Sequence, residues 1–155
     1  MKVLTTTKKV LFHEVGEART TYKKLSNNEA PKITNSGDSV NIFRPLFEEM
    51  QDTREQFRVM FLNRSNRVIC TELIGQGSAV GTVVDVQAII RTAILTNAQA
   101  LILCHNHPSG ETRPSEADKT ITHRVKEAAK LMDIALLDHV ILGISYFSFA
   151  DEGLI

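Results

Sequence analysis

A chain of 155 residues with 43% apolar side chains is long enough to bury one real core and short for two domains of ordinary size. Eighteen Lys and Arg balance eighteen Asp and Glu, so zero formal net charge excludes a global attraction to nucleic acid or an anionic membrane. No run approaches a spanning helix, the N-terminus lacks the features of a signal peptide, and two cysteines make no disulfide framework, so a cytoplasmic protein is expected.

The first 38 residues carry seven Lys and Arg against four Asp and Glu, scattered as on a solvated surface. Val3 to Val15 mixes β-branched residues with lysines, and Thr20 to Leu25 is a further extended piece. Residues 1–32 are read as an arm that adds an edge strand or reaches a partner, a homodimer being the candidate assembly; residues 33–155 form the domain. Ser26 to Ser39 is polar, contains Pro31 and Gly37, and reads as a loop. Val40, Phe43, Phe47 and Met50 then recur at helical spacing, with Ser39 as cap. Pro45 interrupts this run, so the helix is kinked there or begins there.

From Glu55 to Leu62, Phe57, Val59 and Phe61 share one face and Arg58 the other, the alternation of a strand. Asn63 to Asn66 turns the chain into a return strand, Val68 to Ile74, giving an antiparallel hairpin. Gly75, Gly77 and Gly81 loosen the next loop, which lacks the spacing of a phosphate-binding loop and is either a wall beside a site or a plain connector. Val86, Ile89, Ile90, Ala93 and Ile94 outline a helix ended by Asn97, and Ala100 to Leu103 form a buried strand. Ala117, Ile121, Val125, Ala128 and Met132 line one face of a helix over Glu116 to Met132. Leu136 to Leu142 and Tyr146 to Ala150 are the last strands, turning at Gly143. The order predicts an α/β fold, a three-layer-like sandwich with a mixed central sheet flanked by helices, and a metal loop opening from one sheet edge toward a helix.

That loop is CHNHPSGETRPSEAD, Cys104 to Asp118. His105 and His107 are two apart, so an extended backbone sends both imidazoles to one side, and Asp118 returns from the next helix. Two nitrogens and a carboxylate suit a hard or borderline metal and leave one tetrahedral position for water. The plainer account makes Ser115 and Asp118 a helix cap, with Pro108, Gly110 and Pro114 building a turn. Cys104 faces the opposite side of the strand, as a small buried thiol. His139 lies in an apolar strand and is read as a hydrogen-bonded core histidine, with support of a ligand or of the aspartate as the functional alternative. Asp138 is read as fixing a neighbouring loop, and His123 as a surface histidine.

The pattern His-x-His, seven residues, Ser-x-x-Asp resembles the signature of the JAB/MPN (JAMM) metalloprotease superfamily. HNHPSG, PSEAD and LLDHVILG are similar to its RadC-like branch, over most of the chain from Ile33 onward. The resemblance implies a JAB/MPN fold, like the cytidine deaminases in outline, and Zn2+ held by His105, His107 and Asp118. It implies Ser115 as a stabiliser of the oxyanion and Glu55, in TREQF, as general acid and base; Glu72 and Glu14 sit in unlike surroundings. Deaminase chemistry itself does not fit, since no PCxxC and no HxE pair is present.

The activity so implied is hydrolysis of an amide bond in a peptide, an isopeptide or a small conjugate. Because the branch is traditionally labelled a DNA repair family, the alternative is a DNA-associated factor or nuclease. Phosphodiester hydrolysis usually brings a second metal or a basic track, and neither is read here. Longer members resemble a fusion with an N-terminal helix-hairpin-helix segment; none is read in this chain, which weakens that route to DNA. A third reading, an interaction module with structural zinc, sits poorly with an intact Glu55 and Ser115.

Overall fold

The computed structural model describes residues 29–47, 53–77 and 83–155. The extended pieces expected at 3–15 and 20–25, together with Met50 and Gly81, lie outside the described residues. Of the expected arm only the last residues are described: Pro31 O accepts from Val68 N at 2.9 Å, and Lys32 bridges Arg67.

The first helix, α1 (Ser36–Phe43), starts earlier than the apolar spacing suggests. Asn35 is the cap, its side-chain oxygen accepting from Asp38 N at 3.0 Å. Ser39, expected to cap, is inside the helix and returns its hydroxyl to Ser36 O at 2.7 Å. Pro45 neither kinks the helix nor begins it. Lacking an N–H, it sits inside a single 3-10 turn, Arg44–Leu46, that follows α1 directly, with Phe47 buried beyond it.

Strands β1 (Gln56–Leu62) and β2 (Val68–Gln76) form the expected hairpin, with Asn66 at φ 56 in its turn. Gly75, expected in a loop, therefore belongs to a strand. Helix α2 (Val86–Leu95) is capped by Asp85 and stopped by Asn97 at φ 54. Strand β3 (Ala100–Asn106) runs through Cys104 and His105, well beyond the apolar run that announced it. Helix α3 (Glu116–Lys130) crosses back to β4 (Ala135–Leu142), parallel to β3, and β5 (Tyr146–Ser148) closes antiparallel.

The strand order is β2-β1-β3-β4-β5, one parallel pair in an otherwise antiparallel sheet. The mixed sheet flanked by helices agrees with the sandwich expected from the sequence. The histidine-bearing strand is its centre, so the loop leaves the end of the middle strand and not a sheet edge. A central strand cannot shift laterally without breaking two ladders, which makes it a firm platform.

Both faces of the sheet are buried. Met60, Leu62, Ala100, Ile102, Cys104, Val140 and Leu142 pack under Val40 and Phe43 of α1. Val59, Phe61, Leu101 and Leu103 pack under Ile89 and Ala93 of α2 and Val125 and Ala129 of α3. Full burial of side chains of this size contributes about 1.5–3 kcal/mol each. The inner face of α3 is Asp118, Thr122, Val125 and Ala129, rotated from the expected stripe; Ala117 is exposed and Met132 is 52% exposed. Apolar periodicity misses this rotation because two of the inward side chains are polar.

Candidate metal centre

His105 is the penultimate residue of β3, opposite Phe57 of β1, and its ring stacks on that phenyl at 6.0 Å and 10°. His107 stands just past the strand, its N–H donating to Leu142 O at 2.8 Å. The loop then turns at Gly110, φ 80, whose N–H returns to His107 O at 2.9 Å. The β4–β5 turn supports this loop from below: Ile144 N donates to Gly110 O at 3.2 Å. A Cβ on Gly143 would stand 2.3 Å from Gly110 O, so no larger residue fits there.

Asp118 arrives from the first turn of α3. Ser115 caps that helix, and the reciprocal capping box is complete: Asp118 N donates to Ser115 Oγ at 3.1 Å, and Ser115 N to Asp118 Oδ2 at 2.7 Å. The cap and the metal reading therefore describe one arrangement. The cap aims the carboxylate, and the Ser115 hydroxyl rests on Asp118 Oδ2 at 2.7 Å.

The three side chains converge. His105 Nε2 lies 2.9 Å from His107 Nε2 and 3.1 Å from Asp118 Oδ1, and His107 Nε2 lies 3.6 Å from Asp118 Oδ2. Among the described residues this is the cluster of His, Cys, Asp and Glu donors that could hold a metal ion, all within 4.8 Å of one another. Bonds of about 2.0–2.2 Å put neighbouring corners of a zinc tetrahedron about 3.3–3.6 Å apart. The separations run from slightly below that spacing to its upper end, so small outward ring shifts suit the ion. The donor set fits zinc.

The electrostatics agree. Burial opposes ionisation of Asp118, but the imidazoles of His105 and His107 and the Ser115 hydroxyl set against the carboxylate outweigh it and hold the carboxyl well below the usual carboxylate range. Hydrogen bonding to Asp118 raises the His107 pKa against the opposing effect of burial, helped by the Glu111 carbonyl, which stands 2.8 Å from Nδ1. A carboxylate kept ionised beside two imidazoles is a preformed acceptor for a cation.

Glu55 comes from the residue before β1 and lines a cleft of about 920 Å3 that also takes in His107, Ser115, Asp118, Ile121 and Arg124. Its negative charge reaches His107 and raises that ring's pKa. Sequence reasoning missed what holds it there. Asn106, fully buried between the two histidines, accepts from Gln56 N at 2.7 Å and donates to Arg54 O at 2.9 Å, clamping the backbone on both sides of Glu55. An amide between two histidines, directly after a long apolar run, was the available signal. Val83 and Val84 border the same cleft, next to the glycine-rich stretch read as a wall or a connector.

His139 is fully buried, stacked on Phe149 at 4.9 Å and edge-on to Phe57 at 5.5 Å. It is a hydrogen-bonded core histidine, as the plainer reading has it, and it also touches a cluster residue. Its Nε2 lies 2.8 Å from His105 Nδ1, and its Nδ1 lies 2.6 Å from Thr122 Oγ1. Burial, with the neighbouring His105, pushes its pKa far down, so the ring is neutral. Cys104 points to the other face, buried, as expected. Asp138 accepts from Ser148 Oγ, His139 N and Ala150 N and so secures β5. His123 is exposed.

Related chains carry the comparison further. The UPF0758 protein of Flavobacterium johnsoniae is 45% identical over 124 residues, 79% of this chain and 53% of that protein. The UPF0758 protein of Porphyromonas gingivalis is 40% identical over 136 residues, 86% of this chain and 60% of that protein. One from Haemophilus influenzae is 39% identical over 157 residues, 100% of this chain and 70% of that protein. This chain thus spans little more than half the length of the first two. Residues 33–154 match the RadC-like JAB domain, and it is to this family that the chain, with its histidines on the central strand and its aspartate at a helix cap, belongs.

Proposed function

We propose that the chain is a zinc-dependent hydrolase that cleaves an amide bond in a peptide, an isopeptide or a small conjugate. The observation that carries this reading is Glu55 on one cleft with His107 and Asp118, two members of a three-donor cluster completed by the buried His105. A zinc ion held by His105, His107 and Asp118 supplies a water whose pKa falls from 15.7 toward about 7. Glu55 takes the proton of the attacking water and delivers it to the leaving nitrogen. Ser115 turns its hydroxyl from Asp118 Oδ2 to the developing oxyanion, while its backbone N–H stays on that carboxylate. Zero net charge favours an amide over a polyanion as substrate, and the cytoplasm is the proposed compartment. Among the described residues no helix is long and apolar enough to cross a membrane.

The test is zinc per folded chain, by elemental analysis with circular dichroism, in wild type, His107→Ala and Glu55→Gln. About one zinc is expected in wild type and Glu55→Gln, and none in folded His107→Ala. Glu55→Gln should lose about 10²–10⁴-fold in cleavage of a mixed peptide library read by mass spectrometry. Wild type free of zinc after metal-replete preparation would sink the proposal. Salt-sensitive DNA binding without amide cleavage would favour the repair-factor alternative.

A further inference from the structure

The hydrogen bonds behind His105 end on an atom that can only accept. Thr122 Oγ1 donates to the main-chain carbonyl of Asp118 at 2.5 Å, four residues back along α3. That uses the hydroxyl's single hydrogen, so toward the ring 2.6 Å away Thr122 can only accept. His139 Nδ1 therefore carries a hydrogen. Sealed from water between Phe149 and Phe57, the ring carries a single hydrogen, so protonation at Nδ1 leaves Nε2 bare, and this nitrogen, 2.8 Å from His105 Nδ1, must accept from it. His105 thus holds a hydrogen on Nδ1, away from the cluster. His107 obeys the same logic over a shorter path, since its Nδ1 faces the Glu111 carbonyl at 2.8 Å and can only donate there.

We propose that Thr122 and His139 are positioning residues of the metal centre: they hold His105 with its hydrogen on Nδ1 and its Nε2 lone pair bare for the metal, and they anchor that choice on the main chain of Asp118. The inference rests on His105, His107 and Asp118 binding a metal. It gives the buried histidine and the inward threonine of α3 a use that core packing does not require. A phenylalanine would fill the slot between Phe149 and Phe57 equally well, and a valine would match Thr122 in volume. What neither could do is determine which nitrogen of His105 is free.

The ring nitrogens report the wiring directly. In 15N-labelled wild type at pH 8, metal-free and zinc-loaded, His139 should show a protonated Nδ1 and a bare Nε2 by long-range 1H–15N correlation. His139 protonated at Nε2 would overturn the proposal. Thr122→Ser keeps the hydroxyl and should keep both this signature and wild-type zinc affinity. Thr122→Val should move the His139 hydrogen to Nε2. Thr122→Val and His139→Phe should each weaken zinc binding by about 10–100-fold in competition with a chelator. Circular dichroism establishes that each variant is folded. Wild-type affinity in folded Thr122→Val and His139→Phe would overturn the role. Wild type that shows the expected tautomer yet binds no zinc would sink the metal reading, and the role with it, while leaving the wiring intact.

Discussion

On the face of the sheet under α1, Ile102 and Cys104 of β3 pack among Met60, Leu62, Val140 and Leu142. On the opposite face the same strand passes from Leu101 and Leu103 to His105, whose neighbours are His107, His139 and Asp118. The first set of contacts asks for volume and shape, and is indifferent to direction. The second is a set of donors and acceptors in which a side chain of the right size and wrong polarity fails. One face should therefore tolerate volume-conserving changes and answer in stability. The other should answer in metal affinity and rate.

The largest effect expected on the α1 side is from Phe43→Ala, which empties a fully buried site and should cost about 3–5 kcal/mol in denaturant unfolding. Zinc affinity of the folded fraction should not change; a loss there would erase the contrast between the faces. Ser115→Ala tests the site face. It should slow hydrolysis by about 10²–10³-fold. Folding should lose only the cap, about 0.5–2 kcal/mol, and comparing turnover with urea midpoints separates the two.

Asn106→Leu crosses the comparison, because a side chain on the α1 face holds a residue of the site. It strands Gln56 N–H and Arg54 C=O, which should cost about 1–3 kcal/mol. Turnover should fall with zinc content unchanged, since Glu55 is loosened and the ligands are not. Zinc content falling along with turnover would show that the clamp serves the ligands instead.

The smallest effect is in pH. The His107 pKa is raised in the folded state, so its contribution to metal-free stability is full below the unfolded value near 6.5 and is lost as pH rises through the folded value. The Asp118 pKa is lowered, so its contribution is present above the unfolded value near 3.9 and is lost only as pH falls toward the folded value. Metal-free protein should thus melt lower as pH rises past about 6.5, and His107→Ala should flatten that slope. Zinc displaces the His107 proton, so zinc affinity should rise over the same window, measured by chelator competition at stepped pH.

The sequence makes one class of relation legible. His105 and His107 share a side because a strand has a period of two, and Asp118 follows Ser115 at the spacing of a cap; both are local rules acting on neighbours. Asn106, Thr122 and His139 obey no such rule. The meaning of Asn106 depends on the backbone at 54–56 lying beside it, and that of Thr122 on a histidine seventeen residues away across a crossover. The same blindness misplaced the inner face of α3, where Asp118 and Thr122 stand where an apolar stripe was sought. At α1 the error was smaller in kind: Asn35 and Ser39 are both good caps, and only Asp38 N lying on Asn35 decides between them.

Gly143 and His139 both follow the ligand residues in the chain, and this sets an order of events during synthesis. A polypeptide leaving the ribosome N-terminus first presents His105, His107 and Asp118 before β4 exists. At that moment the ligand set is complete in composition, but no His139 is there to orient His105, and no β4–β5 turn supports Gly110. A chain released before β4 pairs with β3 should therefore hold zinc more weakly than the finished domain, by about the 10–100-fold expected of His139→Phe.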